Sequence, residues 1–368
     1  MTPRERTLAT VDHRTADRIP IDFWAVPEVV GQLRAALGLA DDEAVRQWAK
    51  ADLRYFTGPP LKEVGRLQRA DGRTVDHWGV VRAGRTVSGT RRDGTTYTWT
   101  YKHLEESPLA GATSKANVER HAWPTADLWD YSRVAAACRA IRDAGYCVVL
   151  GADRLDRTAL LKPAMYLRGV EEFMADLALN PPLAECILRH ISEYYLEYNR
   201  RLLEACGGLA DIFFMGDDMG TQTSTWVSRE MYRRYFREPF RAYCSLAHKF
   251  GVRTMYHTCG NVLPLVGEFV DAGLDILQSL QPQALGEEGL ARLKREYGGV
   301  LALQGGIDIQ DVLPHGTPAE VAEHVRGRAA VLSGGGGYIF GTAHNILPDT
   351  PTENIVALIE AYQRWGRY

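Results

Sequence analysis

The sequence predicts one α/β domain built as a single (β/α)8, or TIM, barrel, and three features of the chain carry this prediction. Short apolar runs that end in polar or glycine residues recur through the second half, which suits strands covered on both faces. Amphipathic stretches with helix-start signals lie between these runs, so strands and helices alternate. No glycine-rich turn follows the first predicted strand, RIPIDFW at residues 18–24, as a doubly wound nucleotide-binding sheet would require. A closed barrel is therefore favoured over an open sheet.

The same helix-start motif occurs at three places in the chain. Thr-Pro-x-Glu begins at Thr2, Thr317 and Thr350, and places threonine at the N-cap, proline at the first helical position and glutamate at the third. These signals predict an N-terminal helical extension, a late helix and a helix that follows the last strand. A further helix is predicted from Ser228, as N-cap, to Gly251.

Strand signals complete the predicted order. The apolar runs of the second half begin at Cys147, Asp211, Val252, Asp275, Val300 and Gly337. Residues 71–104 differ, because β-branched and polar residues alternate there between Asp-Gly turns. This stretch predicts an antiparallel β-ribbon inserted in the barrel.

Composition and charge describe an ordinary globular chain. The 368 residues are 45% hydrophobic and 24% charged, with a net charge of -3, which gives no electrostatic reason to expect nucleic acid or an anionic membrane as a partner. No apolar run approaches the roughly 20 residues that span a bilayer, and the charged first residues do not resemble a signal peptide. A cytoplasmic protein with a small-molecule ligand is expected. No linker or repeat divides the chain, so residues 1–368 are predicted to form one domain.

A histidine and a cysteine lie two positions apart in the predicted strand that contains YHTCGN. Side chains two apart on a strand point to the same side, so His257 and Cys259 can converge on one ion, and imidazole with thiolate suits zinc. His344 follows the small residues 341–343 at the end of the last strand, and barrel closure would bring it to the same mouth. Three protein ligands with an open fourth position is the pattern of catalytic zinc.

Simpler interpretations of these residues stay open. His257 and Cys259 can be a buried histidine beside a buried cysteine, and His344 can be a capping or hydrogen-bonding residue. The other five cysteines show no CxxC pairing and are expected to be small buried residues: Cys138, Cys147, Cys186, Cys206 and Cys244.

Further polar residues follow the predicted strands, where the active site of such a barrel lies. Asp217 and Asp218 are candidates for a general acid/base pair, since neighbouring carboxylates split their pKa values, or are the solvated end of a strand. The remaining candidates for substrate contact end other strands or follow them closely: Asp22, Trp24, Asp153, Gln281, Gln304, Asp308 and Asn345.

Three stretches of the second half carry a resemblance to a known family. They are YHTCGNVLPLVGEFVDAGLDILQSLQPQA from Tyr256, LALQGGIDIQDVLPHGTPAEV from Leu301 and GGYIFGTAHNILPDTPTENIVALIEAY from Gly336. They resemble the uroporphyrinogen decarboxylase superfamily, and more closely its branch of cobalamin-dependent methyltransferases that act with a thiol such as coenzyme M. The resemblance runs from about Cys147 to the C-terminus and is fainter in residues 2–24. It implies a (β/α)8 barrel.

The resemblance also implies a zinc site. The methyltransferase branch binds zinc through His-x-Cys and a later cysteine; the first two fall on His257 and Cys259, and the later one falls on His344, so that histidine stands in place of a thiolate. The arginine-rich stretch that holds porphyrinogen carboxylates in true decarboxylases is missing from residues 22–27.

The implied activity is zinc-dependent methyl transfer between a corrinoid, such as methylcobalamin on a partner protein, and a thiol, methoxy or methylthio compound. Two alternatives remain at this level. One is a metal-free carboxy-lyase of the uroporphyrinogen decarboxylase type, and the other is a non-catalytic protein that binds a corrinoid or another small molecule.

Overall fold

The computed structural model describes residues 1–63, 69, 71–151 and 157–367. The strands of the described ranges are β1 (Leu53–Phe56), β2 (Thr74–Val75), β3 (Val81–Thr90), β4 (Thr96–Glu106), β5 (Cys147–Leu150), β6 (Ile212–Asp217), β7 (Arg253–Thr258), β8 (Ile276–Leu280), β9 (Ala302–Ile307) and β10 (Tyr338–Thr342). Each apolar run predicted as a strand in the second half contains one of β5 to β10.

The α-helices of the described ranges are α1 (Pro3–Val11), α2 (Pro27–Leu37), α3 (Asp42–Trp48), α4 (Lys115–Glu119), α5 (Val134–Asp143), α6 (Leu161–Arg168), α7 (Val170–Leu179), α8 (Pro181–Cys206), α9 (Arg229–Tyr235), α10 (Arg237–Lys249), α11 (Val266–Asp271), α12 (Pro282–Tyr297), α13 (Val312–His315), α14 (Pro318–Leu332) and α15 (Thr352–Trp365). Short 3-10 helices lie at Ala126–Leu128, Tyr131–Arg133 and Leu263–Leu265. None of the helices in the described ranges combines the length and apolar character that crossing a bilayer requires.

Seven strands form one parallel sheet, in the order β1-β5-β6-β7-β8-β9-β10. Helices connect its successive strands from β5 onward, which is the alternation the sequence predicts. The sheet curls around an apolar interior, so the fold is α/β and TIM-barrel-like.

The segment predicted as the first strand, residues 18–24, does not form a strand of the sheet. It makes an isolated parallel bridge from Ile21 to Phe340, and the backbone amide of Asp52 donates to the Ile21 carbonyl over 2.8 Å. Pro20 lacks an amide hydrogen and interrupts regular pairing. The segment thus lies between β10 and β1, and complete eight-stranded closure stays a prediction. Sequence reasoning missed β1, whose four residues include the charged Arg54 and form no apolar run.

An antiparallel sheet of β2, β3 and β4 occupies the region of the predicted ribbon. Its long hairpin turns at Asp93 and Gly94, where the Asp93 carboxylate accepts the Thr95 amide and Gly94 has a φ of 81°. Arg91 at this tip donates to the carbonyl of Pro348 over 2.7 Å, so the ribbon contacts the segment that follows β10.

The predicted helix starts of α1 and α14 are confirmed, each with a complete capping box. The prediction for α15 was wrong by one position, because Pro351 is extended and its own carbonyl accepts the first helical amides, so the helix begins at Thr352. The single helix predicted over residues 228–251 is two helices, α9 and α10, which break at Phe236. Pro239 explains the break, since its ring would clash with a helical carbonyl four residues earlier.

Two rows of side chains cross the interior of the sheet. The lower row is apolar and joins Phe214, Met255, Ile276 and Ala302 in register. The upper row lies two residues further along each strand and joins Gly216, His257, Gln278 and Gln304. Because residues two apart on a strand share a face, the upper row lies at the carboxyl end of the same interior surface. The interior of the sheet therefore carries a layer of mostly polar residues next to a layer of apolar ones, on the side of the carboxyl ends of the strands.

Candidate metal centre

His257, Cys259 and His344 come together at the carboxyl end of the sheet. One possible ligand atom from each residue lies within 4.8 Å of the other two. Sγ of Cys259 is 3.2 Å from Nε2 of His257, and the ring centroids of the two histidines are 5.3 Å apart. Two imidazoles and a thiol at these separations can converge on one tetrahedral cation.

His257 is fully buried and held in one orientation. Its Nδ1 lies 2.5 Å from Oε1 of Gln278, its register neighbour on β8, so Nδ1 donates to the amide oxygen and the Nε2 lone pair remains for a ligand. Burial lowers the pKa of His257 well below its usual range, which keeps the ring neutral and competent to bind metal. Trp24 stacks on the ring at a centroid distance of 5.8 Å. Sequence reasoning missed Gln278, although a polar residue within a buried strand was the available signal.

Cys259 lies on a tight loop just after β7. Gly260 has a φ of +84°, and a Cβ there would lie 2.5 Å from the carbonyl carbon of Gly220, so only glycine fits between the two loops. The amide of Gly220 donates to the Cys259 carbonyl over 3.1 Å, and Gln281 accepts the Gly260 amide over 3.1 Å. The predicted pocket residue Gln281 thus braces this loop.

The thiol of Cys259 differs from the other cysteines in its setting. Burial raises its pKa to about 12, so the proton must leave when a metal binds. The five other cysteines are buried, as predicted, and Cys259 is partly exposed.

His344 lies on the segment between β10 and α15. Its Nδ1 accepts a 2.7 Å hydrogen bond from the backbone amide of Asn345, and its carbonyl accepts from the Thr342 hydroxyl over 2.6 Å. His344 therefore makes hydrogen bonds, as one predicted alternative had it, and also belongs to the ligand cluster.

Asp217 and Asp218 have different hydrogen-bond partners and their pKa values shift in opposite directions, and their role as a general acid/base pair stays a prediction. Asp217 accepts backbone amides of Leu160, Leu161 and Lys162 over 2.6 to 2.9 Å, which caps the start of α6. Burial raises the pKa of Asp217 to about 6, against the effect of these hydrogen bonds. Neighbouring strand residues project to opposite faces, so Asp218 alone points toward the cluster.

Asp218 supplies a carboxylate beside His257. Its Oδ1 lies 3.8 Å from Nε2 of His257, and its other oxygen accepts from Nζ of Lys162. Burial acts to raise the pKa of Asp218, but the Lys162 charge and hydrogen bond outweigh it, so the pKa is lowered and the group is ionised. Oδ1 is buried and has no hydrogen-bond partner within the described ranges. A negative acceptor is therefore available next to the three ligands.

Asp22 is the centre of a second set of hydrogen-bonded polar residues in the interior. Its Oδ2 accepts from Tyr55 Oη and Gln304 Nε2, each over 2.5 Å, and burial raises the pKa of Asp22 to about 6. Asp22, Trp24 and Asn345 line one side of an open cleft of about 440 Å³. Sequence reasoning missed Tyr55 because it missed β1.

The predicted residue Asp308 has local hydrogen-bond partners. The Asp308 carboxylate accepts the amides of Gln310 and Asp311 over 2.7 and 3.0 Å, so it stabilises its own turn. Asp153 lies outside the described residues.

A second set of possible ligands lies at the surface. Atoms of Glu119, Cys186 and His190 also fall within 4.8 Å of one another. Arg189 donates to Glu119 over 2.8 Å, and His190 does so over 2.9 Å, so these groups already satisfy one another. A cation would have to compete with the guanidinium of Arg189.

Comparisons with known proteins place the chain among relatives of two activities. Residues 158–365 match the family model described as uroporphyrinogen decarboxylase (URO-D). A methylated-thiol–coenzyme M methyltransferase of Methanosarcina mazei is 26% identical over 204 residues, which is 55% of this chain and 51% of that protein. The matched stretch thus spans about half the length of this curated relative. A uroporphyrinogen decarboxylase of Cupriavidus pinatubonensis is 35% identical over 81 residues, 21% of this chain and 22% of that protein.

A solved structure shares the fold. A methyltransferase from Methanosarcina mazei superposes with a TM-score of 0.69 at 18% sequence identity, and the match covers 99% of each chain. At this identity the likeness concerns the fold alone.

Proposed function

Since the chain belongs to the uroporphyrinogen decarboxylase (URO-D) family, we propose that it is a zinc-dependent methyltransferase or demethylase of that family. The observation that carries the proposal is the convergence of His257, Cys259 and His344 within 4.8 Å. These ligands come from segments that are distant in sequence. A structural zinc site would be expected to be closed by a fourth protein ligand, whereas three ligands leave room for a substrate.

The residues present fit a zinc ion. Two imidazoles and one thiolate form a borderline-soft donor set, and Gln278 fixes the tautomer that exposes Nε2 of His257. The buried Oδ1 of Asp218, unpartnered in the described part of the chain, gives the cluster an adjacent negative charge. When bound, zinc would supply a Lewis acid that lowers the pKa of a coordinated thiol or polarises a substrate oxygen or sulfur.

Side chains around the three ligands would bind and orient the substrate and exclude water. Asp218, held ionised by Lys162, accepts a hydrogen bond from the substrate at Oδ1 and orients it. Trp24 covers the His257 ring and excludes water from that side. Asp22 and Asn345 present polar groups to the cleft.

We propose that a corrinoid is one of the two molecules between which the methyl group moves. The curated relative acts between a methylated thiol and coenzyme M, which supports a thiol as one substrate class. The corrinoid would be carried by a partner protein that docks over the carboxyl end of the sheet. A corrinoid bound there would supply a methyl group to a thiolate, or accept one from a methoxy or methylthio compound.

Metal content and methyl transfer together test this function. Wild-type protein purified with zinc in the medium should hold one zinc per chain, and His257→Ala, Cys259→Ala and His344→Ala should each lose it. His190→Ala, at the surface cluster, is the matched control and should keep it. Free methylcobalamin should be consumed by zinc-loaded protein with a panel of thiols and not after chelation.

Two results would contradict the proposal. One is wild-type protein without stoichiometric zinc. The other is turnover of a pyrrole carboxylate that survives exhaustive chelation, which would instead support the carboxy-lyase.

A further inference from the structure

Arg157 is buried in the interior and forms no ion pair with any residue of the described ranges. Its side chain is only 2% exposed, and Nε and Nη1 have no hydrogen-bond acceptor within the described ranges. The guanidinium lies over the ring of Phe214, with Cζ 5.2 Å from the centroid. Burying a cation this way costs free energy, since a ring face replaces only part of the lost hydration.

Arg157 lies close to the candidate metal ligand His257. A Cβ built on Gly216 would lie 2.9 Å from both Nε and Nη1 of Arg157, so the guanidinium occupies the place of a side chain at this position. Gly216 is the register neighbour of His257 on the adjacent strand. Arg157 therefore stands next to the first metal ligand, on the same interior face.

Arg157 differs from the neighbouring cations in having no ion pair within the described ranges. Arg157 shares a cavity with Arg82 and Lys162, beneath the ribbon. Arg82 lies 3.4 Å from the carboxylate of Asp76, and Lys162 pairs with Asp218. Among the residues that the structure describes, Arg157 alone of these three cations has no carboxylate within ion-pair distance, although its charge helps to lower the pKa of Asp218.

We propose that Arg157 binds the carboxylate of an acidic organic substrate, while the opposite end of the substrate reaches the metal cluster. This inference rests on the proposed function, since it takes the ligand to be the substrate of that site. Trp78, Tyr166 and Tyr195 line the small cavity beside Arg157. The buried guanidinium then selects acids over their neutral analogues, because its charge and donors are satisfied only by an anion.

The binding test compares acids with neutral analogues of the same shape. The probes are 3-mercaptopropionate and 4-methoxybenzoate with their amides, titrated into zinc-loaded protein. We expect at least one acid to bind about tenfold or more tighter than its amide, and Arg157→Met to abolish that preference while keeping zinc. Gly216→Ala, which displaces the guanidinium without removing its charge, should weaken acid binding.

Thermal unfolding separates a ligand-binding arginine from a structural one. Without ligand, Arg157→Met should raise Tm by roughly 2 °C, since it removes a buried charge that has no ion pair within the described ranges. Arg168→Met is the control: Arg168 is also buried, at 9% exposed, but donates to Asp176 over 2.7 Å, so its loss should lower Tm.

Equal binding of every acid and its amide to zinc-loaded wild type would overturn the inference. So would an acid preference that persists in Arg157→Met, or a lowered Tm for that variant. Absence of zinc from wild type would contradict the proposed function instead.

Discussion

Nδ1 of His257 and Oε1 of Gln278 are 2.5 Å apart, on register-paired positions of β7 and β8. The amide oxygen fixes both the tautomer and the orientation of the ring, and groups of this kind tune metal affinity without touching the ion. The geometry of one ligand is thus set by the pairing of two strands.

Removing this oxygen should weaken metal binding. We expect Gln278→Ala to lower zinc affinity about 10- to 100-fold, while Gln278→Glu, which can still accept from Nδ1, keeps most of it. Competition with a chromophoric chelator measures the change. Gln363→Ala, at an exposed position of α15, is the control. Unchanged affinity in Gln278→Ala would show that the oxygen does not position the ligand.

Gly260 tests whether close loop packing positions Cys259. Replacing Gly260 or Gly94 by alanine should lower the free energy of unfolding by a similar amount on account of the left-handed backbone, since their φ values are 84° and 81°. A Cβ at Gly260 would also meet the Gly220 backbone at 2.5 Å, whereas nothing lies within 4 Å at Gly94. Urea denaturation should show Gly260→Ala less stable than Gly94→Ala by about 1 to 3 kcal/mol, with zinc binding impaired only in the former. Equal stability losses would contradict this packing.

Asp22 should make stability depend on pH. Burial raises its folded-state pKa to about 6, above the usual 3.8, so the folded protein binds the extra proton between these values. This contribution to stability is complete below pH 4 and is lost as the pH rises through 6. Asp22→Asn should remove up to about 1.4 kcal/mol per pH unit from the slope in that window.

Denaturation midpoints at pH 4, 5, 6 and 7 measure that slope. Asp143→Asn, an exposed carboxyl at the end of α5, should leave it unchanged. Asp217, whose pKa is also raised to about 6, will keep part of the dependence in both variants. A slope in Asp22→Asn equal to that of wild type would refute the assignment.

Lys162 and Asp218 should be energetically coupled. Their side chains are 20% and 27% exposed, so screening is incomplete and each charge depends on the other. A double-mutant cycle of Lys162→Met and Asp218→Asn should give a coupling of roughly 1 to 2 kcal/mol. Arg326 and Glu323, an exposed pair of side chains on α14, should give less than about 0.5 kcal/mol. Similar values for both pairs would mean that solvent screens Lys162 and Asp218 fully.

Local patterns in the sequence determined much of the fold. Apolar runs located β5 to β10, and Thr-Pro-x-Glu located α1 and α14, because burial and capping depend on neighbouring residues. The two-residue spacing of His257 and Cys259 pointed to a shared face, and their convergence with His344 followed from a predicted barrel mouth.

Tertiary structure alone decided which other groups meet these ligands. No local pattern says that Gln278 pairs with His257, that Asp217 caps α6 while Asp218 faces the cluster, or that Arg157 fills the space above Gly216. Each of these contacts depends on the register between strands or on where a loop packs. Register and packing are set by the burial of the whole interior at once, which residues close in sequence do not specify.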